Sequence, residues 1–515
     1  MAYLFSFAAK GLQSYVLEGD QLKTMTGATE LIDRLCRGDF LTKLLDKTGI
    51  DGEVLQGAAG SARIQIDLEE GAKRLARVWP IFCHRWAPGL EVVQSLQQIQ
   101  GNNLSAAIHA AEEEMRLNRN FLPTPLPLAT PVMERCRRTG RAAIGSDDEG
   151  TPTDAALLRK IEMRNSIKSD LTTLQRYFGF KSIKEVPQSF EEISGSERAY
   201  LAIIHADGNG LGKMFMSLAE ASKGLPDQDK VQDLFSHLSS AVIEEGTQAA
   251  VKAASLALGL EEGKLRPLQP IVLAGDDLTL VCRADLAWDF TTAFLRNFGD
   301  EMTTRLRTVK ANEVFPAKLR DTLPDTLSAG ASIVYVSNHY PFSLGYALAE
   351  SLASRAKSRA KELNPQDPPA SVFLHRISGA WAPTEFYALS ETLLKGDGMQ
   401  LSAGPYFLGD PYSPTTTDLE KLWSALSDLP SGSVRELVAL LATESSAVEP
   451  SMERMLTVAD ERHAASFRDT VRELGLDSRL ASNFHGEKSS PLPDAWTLRV
   501  MSGKKKAAKV PATTI

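Results

Sequence analysis

Cysteine is scarce: Cys36, Cys83, Cys136 and Cys282 are the only four in 515 residues, and they are too scattered for a disulfide framework. No CxxC pair occurs, so a thiolate zinc site is not signalled, and buried free thiols are the expectation. No uninterrupted apolar run approaches the roughly 18 residues of a membrane span, which sets membrane insertion aside. The opening MAYLFSFAAKGLQSYV has neither the basic segment nor the continuous apolar core of a secretory leader, so a cytoplasmic location is expected. Basic charge is in deficit, with 57 Lys and Arg against 65 Asp and Glu and a net charge of −8. Phosphate neutralisation needs clustered cations, so strong autonomous nucleic-acid binding is not expected; a subunit that leaves this task to basic partners fits. The one basic cluster, GKKKAAKV at 503–510, lies in a small-residue tail and reads as a mobile, solubilising segment.

What is present, 43% hydrophobic residues, is enough for several cores, and a chain this long divides into roughly three or four units. Residues 1–118 read as strand, helix (18–47), hairpin, helix, strand and helix, a mixed α/β unit. Residues 119–195 begin rich in Pro and Gly and read as a connector with a helical insertion. Residues 196–384 sharpen into β-α-α-β-β-α-β-α-β, the ferredoxin-like order with an extra helix and a terminal strand. That order implies an antiparallel sheet with helices on one face. Residues 385–502 carry an almost entirely helical pattern and read as a separate bundle, followed by the tail 503–515. The expected class is α+β: two ferredoxin-like, palm-type domains plus a C-terminal helical bundle.

Chemistry concentrates in two stretches. IVLAGDDLTLV, 271–281, sets Asp276 and Asp277 at the tip of an apolar hairpin, where like charges cost free energy unless a cation or donors compensate. IIHADGNGLGKMF, 203–215, ends a strand in Asp207 and turns through Gly208, Asn209, Gly210, Leu211 and Gly212 into a helix whose free N–H groups could meet a polyphosphate. By spacing alone it is neither a dinucleotide GxGxxG nor a P-loop, and a turn that merely caps a helix explains it equally well. In this strand order the two stretches lie side by side, so Asp207, Asp276 and Asp277 are expected to converge around Mg²⁺ or Mn²⁺. Nucleotidyl transfer or cyclisation is the chemistry such a site supports. On the helix after the SAGAS strand, Lys357 and Lys361 share one face and Arg355 and Arg359 a nearly opposite one, and one pair should look into the site.

These motifs resemble the Cas10/Cmr2 family, the large subunit of type III CRISPR effector complexes. The resemblance rests on Asp207-Gly208-Asn209-Gly210-Leu211-Gly212, on Ala274-Gly275-Asp276-Asp277 in place of GGDD, and on Ser328-Ala329-Gly330 leading to Pro341 and Ala356-Lys357. Pro405-Tyr406 matches a later Pro-Tyr of the family. It implies that ATP is condensed into cyclic oligoadenylate second messengers, with Asp207, Gly208, Asp276 and Asp277 holding Mg²⁺ or Mn²⁺. Gly208, Asn209, Gly210, Leu211, Gly212, Gly275, Ser328 and Lys357 would bind the nucleotide. It further implies other type III effector subunits, guide RNA and target RNA as partners, and a degenerate first palm in residues 1–118. Three departures stand out. Ala274 replaces a glycine and requires a negative φ, Asn209 replaces an acid, and the family's zinc cysteines are missing around Cys136. No His-Asp dipeptide occurs, so a compact member without the HD nuclease is expected. Two other readings stay open: a stand-alone defence cyclase making other cyclic or linear oligonucleotides, and a non-catalytic palm scaffold of an RNA-guided complex.

Overall fold

Two stretches of the chain fold into the same four-stranded arrangement. In a computed structural model that describes residues 2–58, 60–100, 104–121, 126, 128–167, 171–195, 200–223, 225, 227–379, 382–409 and 411–502, strands Tyr3–Lys10, Gly52–Ala58, Ser61–Ile66 and Glu91–Gln98 form one sheet. Strands Tyr200–Gly208, Leu268–Ala274, Asp277–Arg283 and Ala329–Ser337 form the other. Both line up fourth–first–third–second with antiparallel neighbours, so the first palm repeats the second. The basic cluster at 503–510 falls outside the described residues.

The second sheet corrects the expectation of an antiparallel sheet covered on one side. A fifth strand, Ser371–Arg376, runs parallel to the fourth, and a short sixth, Tyr406–Phe407, closes that edge. A parallel neighbour needs a crossover, and the helix Phe342–Leu363 supplies it. This helix packs on the face of Leu201, Ile203, Val281 and Val334, together with the first palm. The helix Ala287–Ala311 covers the opposite face of Ala202, Ile204, Leu278 and Leu280, setting Phe290, Phe294 and Phe298 one turn apart along its buried side. Each such ring contributes roughly 1.5–3 kcal/mol by burial. The strand Ala329–Ser337 is buried on both faces through Val336, and its one inward polar side chain, Ser332, donates to Ala349 O.

Two further corrections follow from local chemistry. The helix expected over 18–47 is two, Leu22–Cys36 and Gly38–Thr48, interrupted where Arg37 is extended and its guanidinium pairs with Asp39, and a further short helix, Leu12–Leu17, precedes them. Residues 385–502 are not helical throughout, because Lys395–Gly396, Met399–Gln400, Ser482–Phe484 and Glu487–Ser489 make a small sheet of strands too short to show alternation. The helices of this region share one continuous core with the second palm. All four cysteines are buried and unbridged. No helix among the described residues is long and apolar enough to cross a membrane.

Asp494, on the helix Leu492–Ser502, ties the C-terminal region to the palm edge. Its Oδ2 accepts from Ser402 Oγ at 2.9 Å, the Ala403 N–H at 3.0 Å and the Tyr406 hydroxyl at 2.6 Å, which is how the Pro-Tyr motif is used. Burial pushes its carboxyl up to about 7 against these hydrogen bonds. A carboxyl raised in the fold stabilises most fully below its unfolded value near 4 and loses that stability as pH rises through 7. Urea denaturation of Asp494→Asn, which keeps an acceptor oxygen, should show a stability profile between pH 4 and 7 flatter than the parent's by on the order of a few kcal/mol. Parallel profiles would refute the assignment.

Candidate active site

The strand Tyr200–Gly208 delivers Asp207 to the rim of the sheet, and Gly210, with φ +79°, turns the chain into the helix Leu211–Ser222. A side chain at Gly210 or Gly212 would meet nothing, so this turn faces open space, a cavity of about 760 Å³. The first N–H groups of the helix, which no side chain caps, border it. Across from the turn, the hairpin reverses at Gly275, φ +65°, and projects Asp276 back so that its Oδ2 accepts from the Gly208 N–H at 3.0 Å. Asp207 and Asp276 stand side by side, close enough to shift each other's titration. Burial would raise Asp207, but its neighbours Asp276 and Lys357 hold it below the usual carboxylate range; Asp276 is pushed up by burial and by Asp207. The two carboxyls are therefore shifted in opposite directions.

Lys357 reaches Asp207 Oδ2 from the helix Phe342–Leu363. Lys361, one turn on, lines the same cavity, whereas Arg355 lies over the Phe386 ring and Arg359 pairs with Glu362, so the lysines are the inward pair. Asp277 corrects the expected convergence. As the first residue of its strand it points away from Asp276, accepting from Gln13 Nε2 at 3.0 Å and standing 3.5 Å from His205 Nδ1. Burial and the charge of Asp207 push it to about 6. Among the described residues no group of three or more His, Cys, Asp or Glu side chains is disposed to hold a metal ion. What the structure brings together is a pair, Asp207 with Asp276, with Asp277 held on separate partners but near enough to feel the charge of Asp207.

No family model matches the sequence, and no curated protein matches it. Solved structures do. A Csm1-Csm4 cassette in complex with pppApA superposes with a TM-score of 0.51 over 98% of this chain and 69% of the other, at 12% identity. The same cassette in complex with AMPPNP gives 0.50 over 98% and 70%, at 13% identity. The fold is that of Csm1. Two palms and a helical C-terminal region are thus one known architecture, and at this identity the likeness is one of fold.

Within the Csm1 fold the departures acquire reasons. Outside glycine, only Asp20, Leu480 and His485 have positive φ among the described residues, so Ala274 strains nothing. Asn209 is buried and turned from the carboxylates: its N–H donates to Ser328 O at 2.8 Å and its Nδ2 to Ser328 Oγ at 2.9 Å, tying the turn to the neighbouring strand. Ser328 Oγ in turn donates to Pro368 O. Cys136 sits in a knuckle closed by backbone bonds from its own N–H to Arg141 O and from Gly140 N–H to Cys136 O. Gly330, paired in register with Asp207, is a notch for the lysine, since a Cβ there would lie 2.5 Å from Lys357 Cγ. Gly330→Ala should displace Lys357 and cost about 1–3 kcal/mol in urea denaturation; an unchanged midpoint would show that the helix gives way freely. Sequence reasoning missed Gln13, His205 and Thr279, whose Oγ1 is 3.2 Å from His205 Nδ1. Period two along the Asp277 strand was the available signal for Thr279.

Proposed function

We propose that this chain is a Cas10-type subunit that condenses ATP into cyclic oligoadenylates. The observation that carries the reading is the Asp207–Asp276 pair, two acids side by side at the mouth of the glycine-turn cavity with Lys357 as their counter-ion. Beyond the Gly208 N–H that Asp276 accepts, such a pair costs stability, since it crowds two acids where apolar contact would serve.

The residues fit a hard divalent cation, because one or two carboxylates completed by substrate phosphates is the ligand set Mg²⁺ takes, and Mn²⁺ accepts the same oxygens. Asp207, Asp276 and the Gly208 carbonyl would hold it, with Asp277 as a further acid. When bound, such an ion lowers the pKa of an attacking hydroxyl and offsets charge on a leaving pyrophosphate. The chain itself does the rest. N–H groups of Leu211, Gly212 and Lys213 at the uncapped helix start receive phosphate oxygens. Lys357 and Lys361 balance the charge that builds during transfer. The Asn209–Ser328 tie keeps the turn from following its ligand. Condensation needs two nucleotides, and a second cavity of about 440 Å³, reached past Ser354, shares Asp207, Lys357 and Lys361 with the first.

The solved cassettes pair Csm1 with Csm4 and hold pppApA or AMPPNP. By that likeness, and because the chain carries a net charge of −8, we place it beside other type III effector subunits that supply the contacts to guide and target RNA. The test is incubation with labelled ATP and Mg²⁺ or Mn²⁺, with and without those partners and target RNA, and resolution of products by mass. Oligoadenylate formation supports the reading; its absence under every condition overturns it.

A further inference from the structure

We infer that Gln13, at the start of the first palm's opening helix, is a positioning residue for Asp277. The two palms begin alike. The strand Tyr3–Lys10 is followed by Gly11, φ +62°, as the left-handed start of the helix Leu12–Leu17, just as Gly210, φ +79°, starts the helix Leu211–Ser222. In the second palm this turn carries Asp207 and opens onto a cavity. In the first it carries no acid and instead sends a side chain outward, so that Gln13 Nε2 donates to Asp277 Oδ2 at 3.0 Å.

That bond is decisive for Asp277 because little else holds it. Its other oxygen, Oδ1, is buried without a hydrogen-bond partner, and His205 Nδ1 at 3.5 Å is engaged with Thr279. A carboxylate fixed by one donor turns where that donor points. Nor is the contact an isolated touch. Thr29 Oγ1 donates to Ile271 O at 2.8 Å on the hairpin strand that leads to Asp276, and Asp20 Oδ1 accepts from the Ser343 N–H at 2.9 Å. Asp20 thereby caps, from the first palm, the helix that carries Lys357. The first palm grips the hairpin, the acid and the lysine helix at three separate points.

The inference rests on the catalytic reading above, and its test separates the two. Gln13→Ala removes the donor, and Gln13→Glu keeps shape and packing but presents an acceptor to an acceptor. Turnover of ATP in the assembled complex should fall about tenfold in both variants through kcat, with KM for ATP within twofold, since the phosphate cavity lies beyond Asp276. Rescue by Glu would mean a packing role and would overturn the inference. In an Asp277→Ala background, Gln13→Ala should add nothing; an additive loss also overturns it. Mn²⁺-ATP binding, followed by electron paramagnetic resonance on the same proteins, supplies a readout that does not need turnover. If the parent binds without turning over and the Gln13 variants alter the Mn²⁺ signal, the catalytic reading falls and the inference stands. If turnover is present and both variants match the parent in rate and signal, the inference falls alone. A parent that neither binds nor turns over overturns both.

Discussion

Asp276→Asn should abolish oligoadenylate formation while making the protein more stable. The amide keeps an oxygen for the Gly208 N–H and gains a donor toward Asp207, so every contact at the hairpin tip has a successor. What disappears is one of two acids held against each other at the mouth of the cavity. Turnover should drop by at least about 10³-fold, the scale on which loss of a group acting in the transition state is felt. In EDTA, where no cation relieves the crowding, the variant should resist urea by about 1–2 kcal/mol more than the parent, as substitutions at strained functional sites do. Adding Mg²⁺ and ATP should reverse the order, because only the native pair gains from a ligand that binds it. A variant that is both inactive and less stable in EDTA would mean that Asp276 is a structural turn residue.

Lys357→Ala should lower kcat/KM for ATP by about 10²–10³-fold, comparable to removing one preorganised donor from an active site. Its stability effect has the opposite sign. Deleting the ammonium leaves Asp207 beside Asp276 with no counter-ion, and urea denaturation in EDTA should show a loss of about 1–2 kcal/mol. Two substitutions that both silence the site but shift stability in opposite directions identify a charge-balanced centre. A fall in stability for both would point to packing alone.

Much of this site was legible in the sequence because its parts are local. Strand Tyr200–Gly208 is a short apolar run ending in an acid, Gly275-Asp276 sits between two such runs, and Lys357 and Lys361 are one turn apart on a helix with a clear period. What was not legible has equally physical causes. The helix Leu12–Leu17 is shorter than two turns and shows no periodicity, so Gln13 had no element to stand on before the structure supplied one. Asp494 meets Ser402, Ala403 and Tyr406 from a distant part of the chain, and no spacing rule reaches that far. Asp277 was misplaced for a reason the sequence did contain: the turn ends at Asp276, the strand starts at Asp277, and adjacent side chains there diverge. The parallel fifth strand likewise left its mark in a fourth strand with no polar face.

The repeated fourth–first–third–second sheet has one more consequence. Two identical subunits meeting about a twofold axis must carry every substitution twice, so a change that improves one half of a shared site is imposed on the other. Here both halves belong to one polypeptide, and each position can specialise alone: an acid at the end of one opening strand, an amide just past the end of the other. Under the proposed function the result would be a centre with a handedness, in which two reacting nucleotides would occupy inequivalent places and a growing chain would have a head and a tail.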